Sequence, residues 1–209
     1  GARLHLDQQR FLPLGSAGSG AQLWQVPVCV NYTANSARQR ACTLLQAANA
    51  ELPLGAVCPT SLAPDTARYY RTRYEDDRLR RIAAPRDAAE TVALIGDLDA
   101  LAHNGDLTLS QALRAAQPFV ASPNRHVTQS LITLVGGIRS VVPEARRADE
   151  ARWVRALFGG KARRLGLNPE AGESEDALQL RPSLLEFVID AGDGDDKITG
   201  AGGTDRLIV

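Results

Sequence analysis

The chain has 209 residues, and its 24 Lys+Arg are balanced by 24 Asp+Glu. That length allows one large domain or two small ones with real cores, and zero net charge argues against a nucleic-acid partner, which would favour a basic face. No segment approaches the ~20 continuous apolar residues of a membrane span, and the N-terminus lacks the basic-then-apolar order of a signal peptide.

In chain order, Leu4 and Leu6 alternate with polar neighbours. Residues 12–22 are rich in Gly, Ser and Ala and are expected to form a flexible loop. The clearest strand follows. Trp24, Val26, Val28 and Val30 share one face, and Gln25, Pro27, Cys29 and Asn31 take the other. Pro27 cannot donate to a ladder, so this strand lies at an edge or has a free N–H side there. Residues 31–40 read as polar and turn-like, and 41–54 as either a strand pair or a short helix. Cys58-Pro59 and Ala63-Pro64-Asp65 are turn signals before another strand. In that strand Tyr70, Thr72 and Tyr74 alternate with Tyr69, Arg71 and Arg73.

The period then changes from two to that of a helix. After Pro85, Asp87 is followed three residues later by Glu90, the spacing of an N-terminal cap. Leu94, Leu98 and Leu101 form an apolar stripe that ends at Asn104-Gly105. Thr108 and Gln111 suit a capping box, and Ser122-Pro123 a cap with Pro in the first turn. Val127, Leu131, Leu134 and Ile138 give a buried helical face that Gly136-Gly137 weakens and Pro143 ends. A third strong helix is expected over 149–165, with Trp153 and Leu157 four apart. Asn168-Pro169 is another start signal. Ser174 suits a cap for 177–192, where Pro182 implies a kink or a fresh first turn. About six helices joined by short polar turns suggest antiparallel pairs and a superhelical stack. The expected fold class is therefore α+β and multi-domain. A small β-sandwich over residues 1–75 precedes an α-helical, superhelix-like domain over 76–209.

A resemblance accompanies these elements. A strand reading YYR-x-x-Y, a short acidic-basic helix, and then LIGD-x-x-x-LA-x-x-G resemble the C-terminal part of zinc aminopeptidases of the aminopeptidase N and puromycin-sensitive type. Gln8 to Phe11 match that family's Q-x-R/Q-F strand, and Trp24 to Val28 its W-x-(I/V)-P-(V/L) strand. The Trp-x-x-x-N element usual before the YYR strand is replaced here by SLAPDTARYY. The resemblance implies a non-catalytic C-terminal portion of an enzyme that removes N-terminal residues from peptides. Its helical domain would cap the active-site chamber and limit access. The implied partners are the catalytic domain of the same polypeptide and the peptide substrates of the parent enzyme.

No catalytic, cofactor or metal residue is assigned on this chain. A zinc peptidase needs H-E-x-x-H on one helix face, with a Glu base beside the metal. His5, His103 and His126 are distant in sequence, so zinc is implied only for the missing catalytic domain. His103 reads as a last-turn residue suited to the helix dipole. Cys29, Cys42 and Cys58 read as small buried or strand-facing thiols, with one bridge left open. Glu173, Glu175 and Asp176 read as a solvated helix start. Asp76-Asp77 beside Arg78, Arg80 and Arg81 reads as a surface ion-pair cluster.

The competing class is a non-enzymatic binding or scaffold module with a calcium-binding tail. AGDGDDKIT and GAGGTDRLI follow the nonapeptide G-G-x-G-x-D-x-U-x, with Asp196 and Asp205 at the ligand place and Ile198 and Leu207 at the inward apolar place. With no Met, the chain reads as a processed protein or an excised fragment. The compartment stays open, with a cytoplasmic setting favoured.

Overall fold

The computed structural model of the protein describes residues 1–73 and 85–191, apart from the Ile138 side chain. The chain divides into a first compact unit, Gly1–Thr108, and a second that starts at Leu109.

The first unit holds five strands: β1 (Ala2–Asp7), β2 (Val26–Ala34), β3 (Ala37–Leu45), β4 (Asn49–Gly55) and β5 (Ser61–Pro64). They form two small sheets, β1-β4 and β3-β2-β5, with every pair antiparallel. Alternation turns Val30, Tyr32 and Ala34 of β2 inward to meet Leu52 and Leu54 of β4 and Leu62 of β5. Leu4 and Leu6 close the same core. The expected sandwich is thus present, and the helices follow it.

Several local expectations change. Residues 31–40 are strand rather than loop, because Asn35 (φ 51°) and Ser36 (φ 60°) turn the chain in two residues. Arg38, Gln39 and Arg40 are accommodated because β3 is an edge strand with exposed positions there. Residues 41–54 resolve as the strand pair β3 and β4. β2 is central, yet β5 pairs only with Val30 to Thr33, so the β5 side is unpaired at Pro27. Gln8 to Phe11 form no strand. Gln8 instead clasps the sandwich edge: its Nε2 donates to the Trp24 and Ala47 carbonyls (3.0 and 2.8 Å), and its Oε1 accepts from the Trp24 amide. The loop at 12–22 is anchored, because the Leu14 amide donates to the His103 carbonyl (2.9 Å). Gly105 (φ +85°) lets Leu14 pack closely, since a Cβ there would lie 2.9 Å from Leu14 Cδ2.

Helix α1 (Ala88–His103) belongs to this first unit. Asp87 accepts from the Glu90 amide (2.8 Å), as its spacing predicts. Glu90 reaches back to the Arg86 amide (2.9 Å) and guanidinium. Ile95, Leu98 and Leu101 are its buried apolar face, with Leu94 half-buried.

The second unit contains α2 (Leu109–Ala116), α3 (Arg125–Gly136), α4 (Arg147–Leu165) and α5 (Glu175–Asp190), with 3-10 turns at Gln117–Phe119, Gly137–Ser140 and Glu144–Arg146. α5 packs on both α3 and α4. Its core joins Val127, Leu131 and Leu134 to Val154, Phe158, Leu184 and Val188, and Phe158 meets Phe187 edge to face at 5.6 Å. Asn124, not Ser122, caps α3. Its side-chain oxygen reaches the His126 and Val127 amides, which Ser122 does not. The buried stripe of α4 is Ala151, Val154, Phe158 and Ala162, while Trp153 is exposed and Leu157 half-buried. Asn168-Pro169 starts no helix. Ser174 caps α5 through the Ala177 amide, and α5 runs unbroken through Pro182. The acidic-basic cluster at 76–81, Tyr74 and the calcium-type repeats at 192–208 lie outside the described residues.

Candidate functional site

The three histidines are not brought together as a ligand set. His5 is exposed on β1, with Nδ1 4.0 Å from Glu51. His103 sits in the last turn of α1, its Nδ1 2.8 Å from the Asp99 carbonyl, and His126 is exposed at the start of α3. Among the described residues no three His, Cys, Asp or Glu are grouped so as to hold a metal ion.

The most built polar feature of the first unit is a joint between the stretch after β5 and α1. Arg68 uses three donor groups. Nε donates to the Tyr70 carbonyl (3.2 Å), Nη1 to the Asp65 carbonyl (3.2 Å), and Nη2 to Asp97 Oδ2 (2.5 Å). The Arg68 and Asp97 side chains are only 7% and 4% exposed, and the guanidinium also lies 5.7 Å from the centre of the Tyr70 ring. Burial pushes the Asp97 carboxyl up to about 6, against the opposing pull of Arg68, the Thr72 amide and Arg71. A cavity of about 20 Å³ beside the pair, lined by Ala63, Pro64, Glu90 and Leu94, has room for little more than one water.

This joint explains why residues 68–73 are not a ladder strand. The carbonyls of Asp65 and Tyr70 are taken by the Arg68 side chain rather than by a neighbouring strand. The period of two survives in the exposure: Tyr70 and Thr72 are half-buried, and Tyr69, Arg71 and Arg73 are exposed. The joint also links the two resembling motifs, the stretch around YYR and the Asp of LIGD. An acid placed next to Leu98 on an apolar helix face was the available signal, because a buried carboxylate requires a cation.

In the second unit, Arg181 is the comparable group. It donates to the Leu165 carbonyl (3.0 Å), to the Gly166 carbonyl (3.2 Å) and to Glu173, tying α5 to the free carbonyl end of α4. Glu173 is therefore engaged rather than solvated, and the hydrogen bond from Arg181 lowers its pKa. Asp176 pairs with Arg125 at 2.7 Å, and Glu175 accepts from Gln179. Lys161 donates to the Val120 and Ser122 carbonyls and to Thr128 Oγ1, with no carboxylate among these three acceptors. Trp153 and Leu157, with Leu113, Ala116, Leu131 and Val135, border an apolar groove of about 120 Å³. It is smaller than the ~300 Å³ at which enclosed ligand sites begin.

Cys29 and Cys42 correct the thiol expectation. They are directly opposite in the β2–β3 register and form a disulfide, while Cys58 is free and exposed. The bridge follows from the hairpin register that the Asn35-Ser36 turn sets, and that register was not visible in the spacing of the cysteines.

Residues 64–198 match the family described as ERAP1-like C-terminal domain. The chain is 26% identical over 211 residues to Aminopeptidase M1-B of Oryza sativa subsp. japonica, covering 92% of this chain and 24% of that protein. It is 24% identical over 197 residues to Aminopeptidase N of Lactobacillus delbrueckii subsp. lactis, covering 87% of this chain and 22% of that protein. The chain thus spans about a quarter of the length of the curated relatives it matches.

Proposed function

This chain belongs to the ERAP1-like C-terminal domain family, and from that premise we propose that it is the C-terminal, non-catalytic portion of a zinc aminopeptidase that removes N-terminal residues from peptides. The observation that carries the proposal is the family match over residues 64–198, which takes in the Arg68–Asp97 joint and α1 to α5. The two aminopeptidases similar over most of the chain support it. In this proposal residues 1–75 are the sandwich domain and 76–209 the helical domain. The helical domain caps the active-site chamber and limits substrate access. Zinc and the general base reside on a catalytic domain of the same polypeptide, whose partners are the peptide substrates. This chain's own residues supply packing surfaces and no chemical step.

The test begins with the coding frame upstream of Gly1, which is expected to encode H-E-x-x-H. The polypeptide from that frame should release single N-terminal residues from a peptide and lose this activity with a chelator. Disrupting the second unit with Leu184→Asp should then relax discrimination between short and long peptides. An upstream frame without H-E-x-x-H overturns the aminopeptidase assignment, and unchanged length discrimination overturns the capping role.

A further inference from the structure

The Cys29–Cys42 bridge is on the outer face of the sandwich, with Cys42 exposed and Cys29 half-buried. It is therefore accessible to a thiol reagent without unfolding of the core, which lies on the other face of β2. It also sits one hydrogen bond from the Arg68 joint. The Cys29 carbonyl accepts the Asp65 amide at 2.9 Å. Across the same hairpin, Arg40 of β3 donates to Asp65 Oδ2 at 2.6 Å. Asp65 in turn offers its own carbonyl to Arg68, which ends on Asp97 of α1. Asp65 is thus held by β2 through its amide and by β3 through its carboxylate, and the disulfide keeps those two holders in register two residues from Arg40.

From this arrangement we propose that the Cys29–Cys42 disulfide is a redox-sensitive clamp on the joint between the sandwich and α1. When the bridge is closed, β2 and β3 hold Asp65, and Asp65 presents Arg68 to Asp97. When it is reduced, the β3 edge separates more easily from β2, the two holds on Asp65 act independently, and the stretch from β5 to Arg73 opens more often. The reductant is a small dithiol. Its thiolate attacks one sulfur to form a mixed disulfide. Its second thiol then displaces the protein sulfur, so Cys29 and Cys42 gain two electrons and two protons as the dithiol becomes a cyclic disulfide. Cys58 is not the internal exchange partner. It precedes Thr60, whose amide bonds Thr33, and Thr33 is four residues along β2 from Cys29, about 13 Å at strand rise.

The experiment is hydrogen exchange on the intact Cys58→Ser chain, with and without dithiothreitol, alongside a thiol count on the untreated protein. Two unreactive cysteines are expected before reduction, and two reactive ones after it. On reduction, the amides of residues 61–73 should exchange about tenfold faster or more, while those of α5 stay unchanged. A Cys29→Ala/Cys42→Ala variant should exchange like the reduced protein, and Arg40→Ala should reproduce part of the effect with the bridge closed. Two free thiols in the untreated protein would overturn the clamp. So would unchanged exchange at 61–73 after complete reduction, or acceleration spread equally over both units.

Discussion

Arg68 in the first unit and Arg181 in the second solve the same problem with the same parts. Each is a buried guanidinium that takes two backbone carbonyls and one carboxylate. The two carboxylates nevertheless shift in opposite directions. Asp97 is 4% exposed, so its loss of hydration outweighs the attraction of Arg68 and its pKa rises to about 6. At Glu173 the hydrogen bond from Arg181 outweighs the cost of burial, so its pKa falls. An ion pair's geometry does not by itself set the sign; the balance between the cost of burial and the hydrogen bonds to the charged form does. Lys161 shows the limiting case. Its three acceptors are neutral, and burial, with Arg164 nearby, lowers its pKa.

The sharpest break of the comparison is Arg68→Met. At pH 7 it leaves Asp97 charged and buried, and the first unit should lose about 3–5 kcal/mol in urea denaturation. Trp24 reports on the first unit and Trp153 on the second, so each can be followed in a variant lacking the other. The deficit should shrink as pH is lowered toward 5, since Asp97 then becomes neutral.

The opposite signs are tested by pH series on Asp97→Asn and Glu173→Gln. Asp97 has its folded pKa raised from 3.8 to about 6. Its charged form is disfavoured in the fold, so wild type should lose stability relative to Asp97→Asn between pH 4 and 6. The change should be on the order of 3 kcal/mol at ~1.4 kcal/mol per pKa unit. Glu173 has its folded pKa lowered from 4.5. Its contribution should be present above pH 4.5 and fade below it. Two curves of the same slope would break the comparison.

Lys161→Met should destabilise the second unit by about 2 kcal/mol, because the Val120 and Ser122 carbonyls and Thr128 lose a buried donor. The smallest effect is expected for Gly96→Ala in α1. A Cβ there would lie 2.8 Å from the flexible end of Arg71. Displacing Arg71 should largely offset the ~1 kcal/mol gain in helix propensity, leaving thermal unfolding shifted by a degree or two either way.

Much of the local structure was legible in the residue order. The alternation from Val26, the Asp87 and Ser174 caps, the Asn104-Gly105 stop and the Val127-Leu131-Leu134 face all appear where short-range spacing puts them. These features depend on neighbours within about four residues, so the sequence carries them directly. At Ser122-Pro123 the cap moved two residues on, to Asn124, while Asn168-Pro169 starts no helix. The α4 stripe is rotated from Trp153 and Leu157 to Val154 and Phe158 because α5 packs on that side.

By itself, the sequence determined the order of architectures, strands and then helices, and the family resemblance carried by YYR and LIGD. Only tertiary structure decided that residues 68–73 would be an arginine-held segment rather than a strand, that Cys29 and Cys42 would be joined, and which acids would be buried. The disulfide joins residues 13 positions apart, and the Arg68–Asp97 pair joins residues 29 apart. Such meetings are set by register and packing, which no local pattern encodes.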